Sequence, residues 1–230
     1  MDSEVIKARV EEAIDELEEQ FEKDGTLFYT ENDVVCRFYA LIQEGLEWAT
    51  KPDRHGQRHY LVHREYPTPF RCDMGGVGFA VKGEGDRTSK GGKYQRGHYD
   101  IVVLNPEFIQ AVGYRLAKGQ DFELVTENFR RAPSPAVLYG LEFMFNRDPP
   151  MESRGENRDR SIDTFCKKVF QDHKKLEESK RLPDGHPFMA KTMMLVFDNA
   201  CSEKIRERLK DKLNEKTDLR LCLSERVVKT

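Results

Sequence analysis

The apolar positions along the chain recur first with a helical period and later with a strand period. In residues 1–50, apolar side chains return every three or four positions in two successive segments, which predicts two amphipathic helices. Thr30 and Asp33 have the spacing of a capping box at the start of the second helix, which we expect to reach Trp48. These residues are predicted to form an N-terminal helical extension.

Three stretches with strand character follow the two helices. Polar and apolar residues alternate over residues 57–66, and two apolar runs occupy residues 99–104 and 136–145. The first strand is predicted to end at Pro67. Residues 75–97 hold eight of the sixteen glycines and predict a long loop between the first two strands.

The rest of the chain predicts helix, strand, helix and strand in turn. From Ile162 to Leu176 the apolar residues advance by threes and fours, which predicts a long helix. Thr192 to Asp198 is an apolar run typical of a buried strand. Apolar positions with helical spacing follow from Ile205, and alternating leucines from Leu219 predict a last short strand.

This order of elements predicts an α/β fold with a mixed central sheet flanked by helices. Three strands in succession, then a crossover helix and a further strand, argue against a doubly wound nucleotide-binding sheet, in which strands and helices alternate strictly. We expect a single domain over residues 1–230, made of the helical extension, a core over residues 57–198, and a C-terminal helix and strand over residues 199–230.

Composition places the chain among soluble globular proteins. It is 38% hydrophobic and 34% charged, and its apolar runs are far shorter than the roughly 18 residues of a membrane-spanning helix. With no secretory signal at the N-terminus and five separated cysteines that form no CxxC pair, we expect a cytoplasmic protein with reduced thiols and no membrane partner.

The net charge of −3 conceals an asymmetry along the chain. Residues 1–24 carry ten acids and three bases, a charge of −7, so residues 25–230 carry +4. A weakly basic body can meet a polyanion if its basic residues share one face. The acidic first helix is expected to pack on the core through its apolar side, and it is also a candidate surface for a homodimer or a protein partner.

Two familiar patterns fail on spacing. The glycines of residues 75–97 match neither a dinucleotide-binding GxGxxG nor a P-loop, and a loop at a hairpin tip is the better interpretation. His55, His59 and His63 are four residues apart, but on a strand such neighbours lie about 13 Å apart, too far to share one metal. His173 falls in the apolar stripe of its helix and is interpreted as a core histidine with a satisfied hydrogen bond.

Three carboxylates occupy notable positions on the three consecutive strands. Glu65 ends the first strand, Asp100 opens the second, and Glu142 lies within the apolar third strand. A buried acid is costly unless a cation or a proton offsets it. Mg²⁺ favours carboxylate oxygens and is often completed by substrate phosphate, so acids on neighbouring strands predict a Mg²⁺ or Mn²⁺ site for phosphodiester hydrolysis.

The segments around these acids resemble the restriction-endonuclease-like PD-(D/E)xK nuclease superfamily. The similarity covers residues 57–198 and rests on three strands, LVHREYP, RGHYDIVVL and LEFMF, followed by a helix and a strand in α-β-β-β-α-β order. The resemblance implies a metal-dependent nuclease in which Asp100 is the motif aspartate, Glu142 is the acid of the (D/E)xK tripeptide, and Glu65 is an accessory acid. All three would be catalytic metal ligands, and the expected partner is nucleic acid, DNA in preference to RNA.

One departure from the family motif concerns the lysine two residues after the second acid. Met144 occupies that position, and methionine can neither donate a hydrogen bond nor carry a positive charge. A cation must come from elsewhere if the chain cuts nucleic acid. Lys168 on the following helix, beside the more exposed Lys167, is the predicted substitute, with Arg64 as another candidate.

Two alternatives remain open. The first is a nuclease-fold module that has lost catalysis and binds nucleic acid or a protein partner without cleavage. The second is an interaction domain that engages its partner through the acidic N-terminal helix. Loss of Mg²⁺ or Mn²⁺ binding in Glu142→Ala, together with cleavage of labelled DNA or RNA by the parent protein, would distinguish the enzyme from both.

Overall fold

The structure, a computed structural model, describes residues 2–45, 56, 58, 60–73, 94–112, 134–147, 156–181, 185–200, 203–215 and 218–224. Its helices are α1 (Ser3–Lys23), α2 (Glu31–Gly45), α3 (Pro106–Val112), α4 (Glu156–Ser179) and α5 (Glu203–Glu215), with a 3₁₀ turn over Gly25–Leu27 between α1 and α2. Its strands are β1 (Val62–Asp73), β2 (Tyr94–Leu104), β3 (Val137–Asn146), β4 (Met189–Asp198) and β5 (Leu219–Leu223).

The described strands form one mixed sheet in the order β1-β2-β3-β4-β5. β1 and β2 are antiparallel, and β4 and β5 are parallel, as expected for strands joined by the crossover helix α5. The predicted α/β class, with a mixed sheet flanked by helices, is therefore confirmed. The strands and helices also lie close to the segments in which the hydrophobic pattern placed them.

The start of α2 confirms the predicted capping box. The Thr30 hydroxyl accepts a hydrogen bond from the Asp33 amide at 3.3 Å, and the Asp33 carboxylate accepts one from the Thr30 amide at 2.9 Å. The carboxylate also accepts a bond from the Tyr29 amide, and these backbone donors hold the pKa of Asp33 below its usual value. The predicted end of α2 at Trp48 lies outside the described residues, since the helix is described to Gly45.

The predicted boundary between β1 and the following loop is wrong. β1 does not end at Pro67 but continues to Asp73, and Pro67 pairs with His98 in the ladder. The physical reason is position: β1 is the outermost strand of the described sheet, and an edge strand tolerates proline. β2 likewise begins at Tyr94, so part of the predicted loop belongs to the hairpin, and residues 74–93 lie outside the described residues.

By its internal contacts the chain divides into two compact units, each assembled from separate stretches of sequence. The hairpin unit comprises Met1–Lys7, Glu47–Gly140 and Lys175–Thr192, and the helical unit comprises Ala8–Leu46, Leu141–Lys174 and Met193–Thr230. The single-domain organisation expected from the sequence stays a prediction.

The hairpin unit is ordered around the end of β2. Tyr99 and Ile101 are fully buried on this strand. Asn105, which follows the strand, accepts a bond from the Glu107 amide at the start of α3 and donates one to the Pro135 carbonyl at 2.9 Å. A single side chain thus caps α3 and joins the end of β2 to the segment before β3.

The helical unit has an aromatic core. Phe21 of α1 meets Phe197 of β4 edge-on, with ring centroids 5.0 Å apart, and Phe38 of α2 packs on Phe143 of β3 at 5.2 Å. The apolar face of α1 is buried here, which confirms that the acidic first helix packs on the core. None of the helices in the described part of the chain is both long enough and apolar enough to cross a membrane.

Candidate functional site

The β1–β2 hairpin brings two of the three predicted carboxylates to the same level of two neighbouring strands. Arg64 pairs with Ile101 and Tyr66 pairs with Tyr99, so Glu65 and Asp100 each lie between these two pairs. Glu65 is exposed, and Asp100 is half-buried. Like charges at one level of two antiparallel strands repel, and a positive charge close to them lowers that repulsion.

The backbone at Glu65 has an unusual conformation. Its φ is +49°, and among the described residues no other non-glycine residue has a positive φ. A side chain in this left-handed region costs about 1–2 kcal/mol, because its Cβ crowds the following carbonyl. Such strain concentrates at functional sites, where the surrounding structure holds a side chain in a required direction.

Glu142, the third predicted carboxylate, lies on β3, the neighbour of β2 in the sheet order. Its side chain is buried, with 4% exposed, inside a strand whose first eight residues are all buried. The sequence-based prediction that this acid lies in an apolar strand is confirmed. Its role as a metal ligand stays a prediction.

Met144, which occupies the position of the motif lysine, and the residues predicted to replace that lysine differ in burial. Met144 is buried, with 4% exposed, as an ordinary core residue of β3. Lys168, the predicted substitute, and its neighbour Lys167 are both exposed on α4, and Arg64 is exposed on β1. The predicted catalytic role of Lys168 also stays a prediction.

A different lysine of α4 reaches the hairpin. Lys175 is half-buried, and its Nζ donates a hydrogen bond to the carbonyl of His98 on β2 at 3.1 Å. His98 precedes Asp100 by two residues on the same strand. Lys175 follows Lys168 by seven residues, which is about two helical turns, so both lie on nearly the same side of α4 but about 10 Å apart along its axis. The sequence pattern predicts the side of α4 on which both lysines lie, but it does not predict which turn of the helix contacts β2.

The interpretation of His173 as a core histidine with a hydrogen-bond partner is confirmed. It is buried, and its Nε2 lies 3.2 Å from Oδ1 of Asp218, the residue before β5. Glu177 follows one turn further along α4. The spacing of His173 and Glu177 was visible in the sequence, whereas Asp218 stands 45 residues from His173 and had no local signal.

The acidic face of α1 is partly neutralised within the helical unit. Arg220 of β5 bonds to three carboxylates of α1, with N–O distances of 2.9 Å to Asp15, 3.0 Å to Glu18 and 3.3 Å to Glu11. Burial raises the pKa of Glu18 in spite of this cation. The pKa of Arg220 is also raised, because its acidic partners together outweigh the effect of its own burial.

The sequence also predicts that the basic segment from Lys82 to Arg96 tracks the phosphate backbone if the chain cuts nucleic acid, and most of this segment lies outside the described residues. Of the span from Lys82 to Arg96, residues 82–93 are not described, and residues 94–96 belong to β2.

The carboxylates of the hairpin supply the kind of ligand that a hard divalent cation prefers. Glu65 and Asp100 offer oxygens from adjacent strands, and the strands' pairing holds their backbones in a fixed register. These residue types therefore fit Mg²⁺ or Mn²⁺. Comparison of the chain with models of known protein families, with curated proteins and with solved structures found no match.

Proposed function

We propose that the protein is a metal-dependent nuclease that hydrolyses phosphodiester bonds of nucleic acid at the β1–β2 hairpin. The observation that carries the proposal is the pairing register, which brings the left-handed Glu65 and Asp100 to the same level of β1 and β2. Two acids at one level of a hairpin and a left-handed glutamate are both unfavourable for the sheet alone; a bound cation would offset the repulsion between the acids and make use of the fixed direction of Glu65.

The order of elements supports the same proposal. α2, the three strands β1 to β3, α4 and β4 follow one another in the α-β-β-β-α-β order of the restriction-endonuclease-like core, with α3 as an addition between β2 and β3. Glu142 is the acid on the third of these strands, as the resemblance implies.

Lys175 is our candidate for the cation that Met144 cannot supply. Its ammonium group already lies against β2, at the carbonyl two residues before Asp100. An ammonium group at this position would hold the attacking water by hydrogen bonding and offset the charge that develops on the phosphate. A bound Mg²⁺ would supply a water of lowered pKa and a second positive charge. Asp100 and Glu65 would hold the ion through their carboxylate oxygens and would orient the attacking water by accepting a hydrogen bond from it.

The proposal is tested with purified protein, fluorescently labelled single- and double-stranded DNA and RNA, and Mg²⁺ or Mn²⁺. We expect metal-dependent cleavage, with DNA preferred, that falls by about a hundredfold or more in Asp100→Asn, because a ligand and its charge are lost while the side-chain shape is kept. Binding of Mn²⁺, measured by calorimetry, should fall in the same variant.

Variants of α4 decide which lysine acts. Lys175→Met should lose cleavage but keep Mn²⁺ binding, because the lysine is not a metal ligand. Lys174→Met, the neighbouring exposed lysine on the same helix, is the matched control and should cut normally. If Lys168→Met loses cleavage instead, the sequence-based substitute is correct and Lys175 is not. Nucleic-acid binding without cleavage or metal affinity would establish the non-cutting module.

A further inference from the structure

The last strand of the sheet presents an open edge. β5 pairs with β4 on one side, and in the described part of the chain no strand lies beyond it. The Met194 amide donates to the Asp218 carbonyl at 2.7 Å, and Met194 pairs with Leu219. Since backbone groups alternate in direction along a parallel strand, those of Arg220 and Cys222 also face β4. Those of Leu219, Leu221 and Leu223 therefore face outward.

A groove runs along this edge. It has a volume of about 520 Å³ and is lined by all five residues of β5, by Glu18 and Glu22 of α1, and by Arg206 of α5. Five residues of extended chain cover about 16 Å, enough for a short added strand. The groove lies wholly within the helical unit.

One wall of the groove is acidic. Glu11, Asp15, Glu18 and Glu22 follow one another at spacings of four, three and four residues and so form one row along α1, the acidic row. Arg220, which bonds to three of these carboxylates, and Arg206 of the groove are two positive charges against four negative ones, so the acidic row and the groove together keep a net charge of −2. The side chains of Arg220 and Cys222 both point to this row, since Cys222 Sγ lies 3.4 Å from Glu18. In an added strand, every second side chain would point the same way.

A second copy of the chain fits this edge poorly. Two β5 strands related by a twofold axis would pair antiparallel, and that symmetry brings the same face of each sheet together. The acidic row of one copy would then lie beside the acidic row of the other. α1 as a whole carries eight acids and three bases, so the two helices would repel. The charge favours an occupant of opposite sign.

We propose that the open edge of β5 binds an extended, basic segment of a partner protein, which adds a strand to the sheet and directs alternate lysine or arginine side chains to the acidic row. Backbone hydrogen bonds to Leu219, Leu221 and Leu223 give the affinity, and the carboxylates select the sequence. The proposal does not depend on the nuclease assignment.

The test uses the full chain and a fluorescent peptide of alternating lysine and valine, with a glutamate-valine peptide as the counterpart. Anisotropy at about 0.1 M salt, where the Debye length is about 10 Å, reports binding. Leu221→Pro removes an outward amide without removing a bond to β4, and Leu221→Val is its matched control. Glu22→Lys reverses a charge in the groove, and Glu19→Lys reverses an exposed charge on the same helix outside it.

We expect the basic peptide, but not the acidic one, to bind. Affinity should fall by about tenfold or more in Leu221→Pro, since a backbone bond is lost and a carbonyl of the peptide is left without its donor. It should fall about three- to fivefold in Glu22→Lys, the range of a partly exposed ion pair, and less than about twofold in Glu19→Lys. Circular dichroism must show that each variant is folded, and hydrogen exchange should show protection at Leu221 on peptide binding.

Three results would overturn the proposal. The first is no binding of the basic peptide to the parent protein at millimolar concentration. The second is equal weakening by Glu22→Lys and Glu19→Lys with no effect of Leu221→Pro, which would mean unspecific attraction to α1. The third is a dimer in sedimentation analysis that Leu221→Pro dissociates, which would assign the edge to a second copy.

Discussion

Gly25, in the 3₁₀ turn between α1 and α2, lies where the chain passes very close to the ends of β4 and β5. A Cβ added there would stand 2.5 Å from Cβ of Ser224 and 2.6 Å from Oδ1 of Asn199. Carbon atoms normally approach to about 3.5–4.0 Å, so the turn or the strand end would have to move by about 1 Å. Ser224 Cβ is bonded directly to the backbone and cannot rotate away.

The magnitude for Gly25→Ala follows from two opposing contributions. Overpacking at a rigid site costs about 1–3 kcal/mol, and we take the upper part of that range because Gly25 is buried and its neighbour is anchored. Replacing a glycine whose φ is not positive recovers up to about 1 kcal/mol, because the unfolded chain loses freedom. The expected net loss in the free energy of unfolding is about 2 kcal/mol.

Gly140 on β3 is the matched comparison. A Cβ there would meet Sδ of Met189 at 2.5 Å and its Cε at 2.9 Å, with Leu176 at 3.8 Å. These Met189 atoms are the far end of an unbranched side chain that can change rotamer. Gly140→Ala should therefore cost less than about 1 kcal/mol, because the obstacle can move without the backbone.

Urea unfolding followed by circular dichroism measures both changes. With a slope of about 1–3 kcal/mol per molar urea, Gly25→Ala should lower the midpoint by about 1 M, and Gly140→Ala by much less. In the double variant Gly25→Ala, Ser224→Gly the main obstacle is absent, so the two changes should couple by about 1 kcal/mol. Equal losses for the two glycines, or additive behaviour of the double variant, would refute the reasoning.

Three further outcomes are expected. Glu65→Gly should raise the free energy of unfolding by about 1 kcal/mol, measured by urea unfolding, because glycine adopts the left-handed backbone without strain. Under the proposed function, the same variant should also cut nucleic acid more slowly than the parent protein. Because the folded-state pKa of Glu18 is raised by burial, stability should fall as pH rises from the unfolded value of about 4.3 through the folded one, so Glu18→Gln should gain more at pH 7 than at about pH 4. Iodoacetamide should label the exposed Cys36 at least about tenfold faster than Cys166 and Cys222, whose thiol pKa values are raised by burial, when read by peptide mass spectrometry.

Each of these has a result that contradicts it. A loss of stability in Glu65→Gly would mean that its side chain contributes more than the strain costs. A gain for Glu18→Gln that is larger at about pH 4 than at pH 7 would show that Arg220 outweighs burial, because the carboxylate would then be favoured on folding. Labelling of Cys36 no faster than that of Cys166 would mean that the helical unit opens readily.

Local patterns predicted the elements well, because helix periodicity, capping and alternation are properties of neighbouring residues. The capping box at Thr30, the helix around His173 and the short strand at Leu219 were all found in place. The end of the first strand was missed at Pro67, since tolerance of proline depends on whether a strand lies at the edge of a sheet. That position is a property of the whole fold.

The candidate site was only partly accessible to sequence reasoning. The pairing of Glu65 with Asp100 requires the register of two strands separated by a long connection, and the left-handed backbone at Glu65 has no signal in a glutamate. The contact of Lys175 with β2 depends on where α4 docks along its length. In each case the sequence showed the residue type, but the tertiary packing determines which residue lies next to it.

The ion-pair cluster between α1 and Arg220 also bears on how the chain is made. Its members are 202, 205 and 209 residues apart in sequence, so the carboxylates leave the ribosome long before their guanidinium partner. At about 5–20 residues per second, that interval is roughly 10–40 s. Throughout this time Glu11, Asp15 and Glu18 are without the guanidinium group that bonds to them in the folded protein, and the apolar side of the helix is without β4 and β5. The ion-pair cluster and the packing of α1 on these strands can therefore be completed only after β5 has been synthesised.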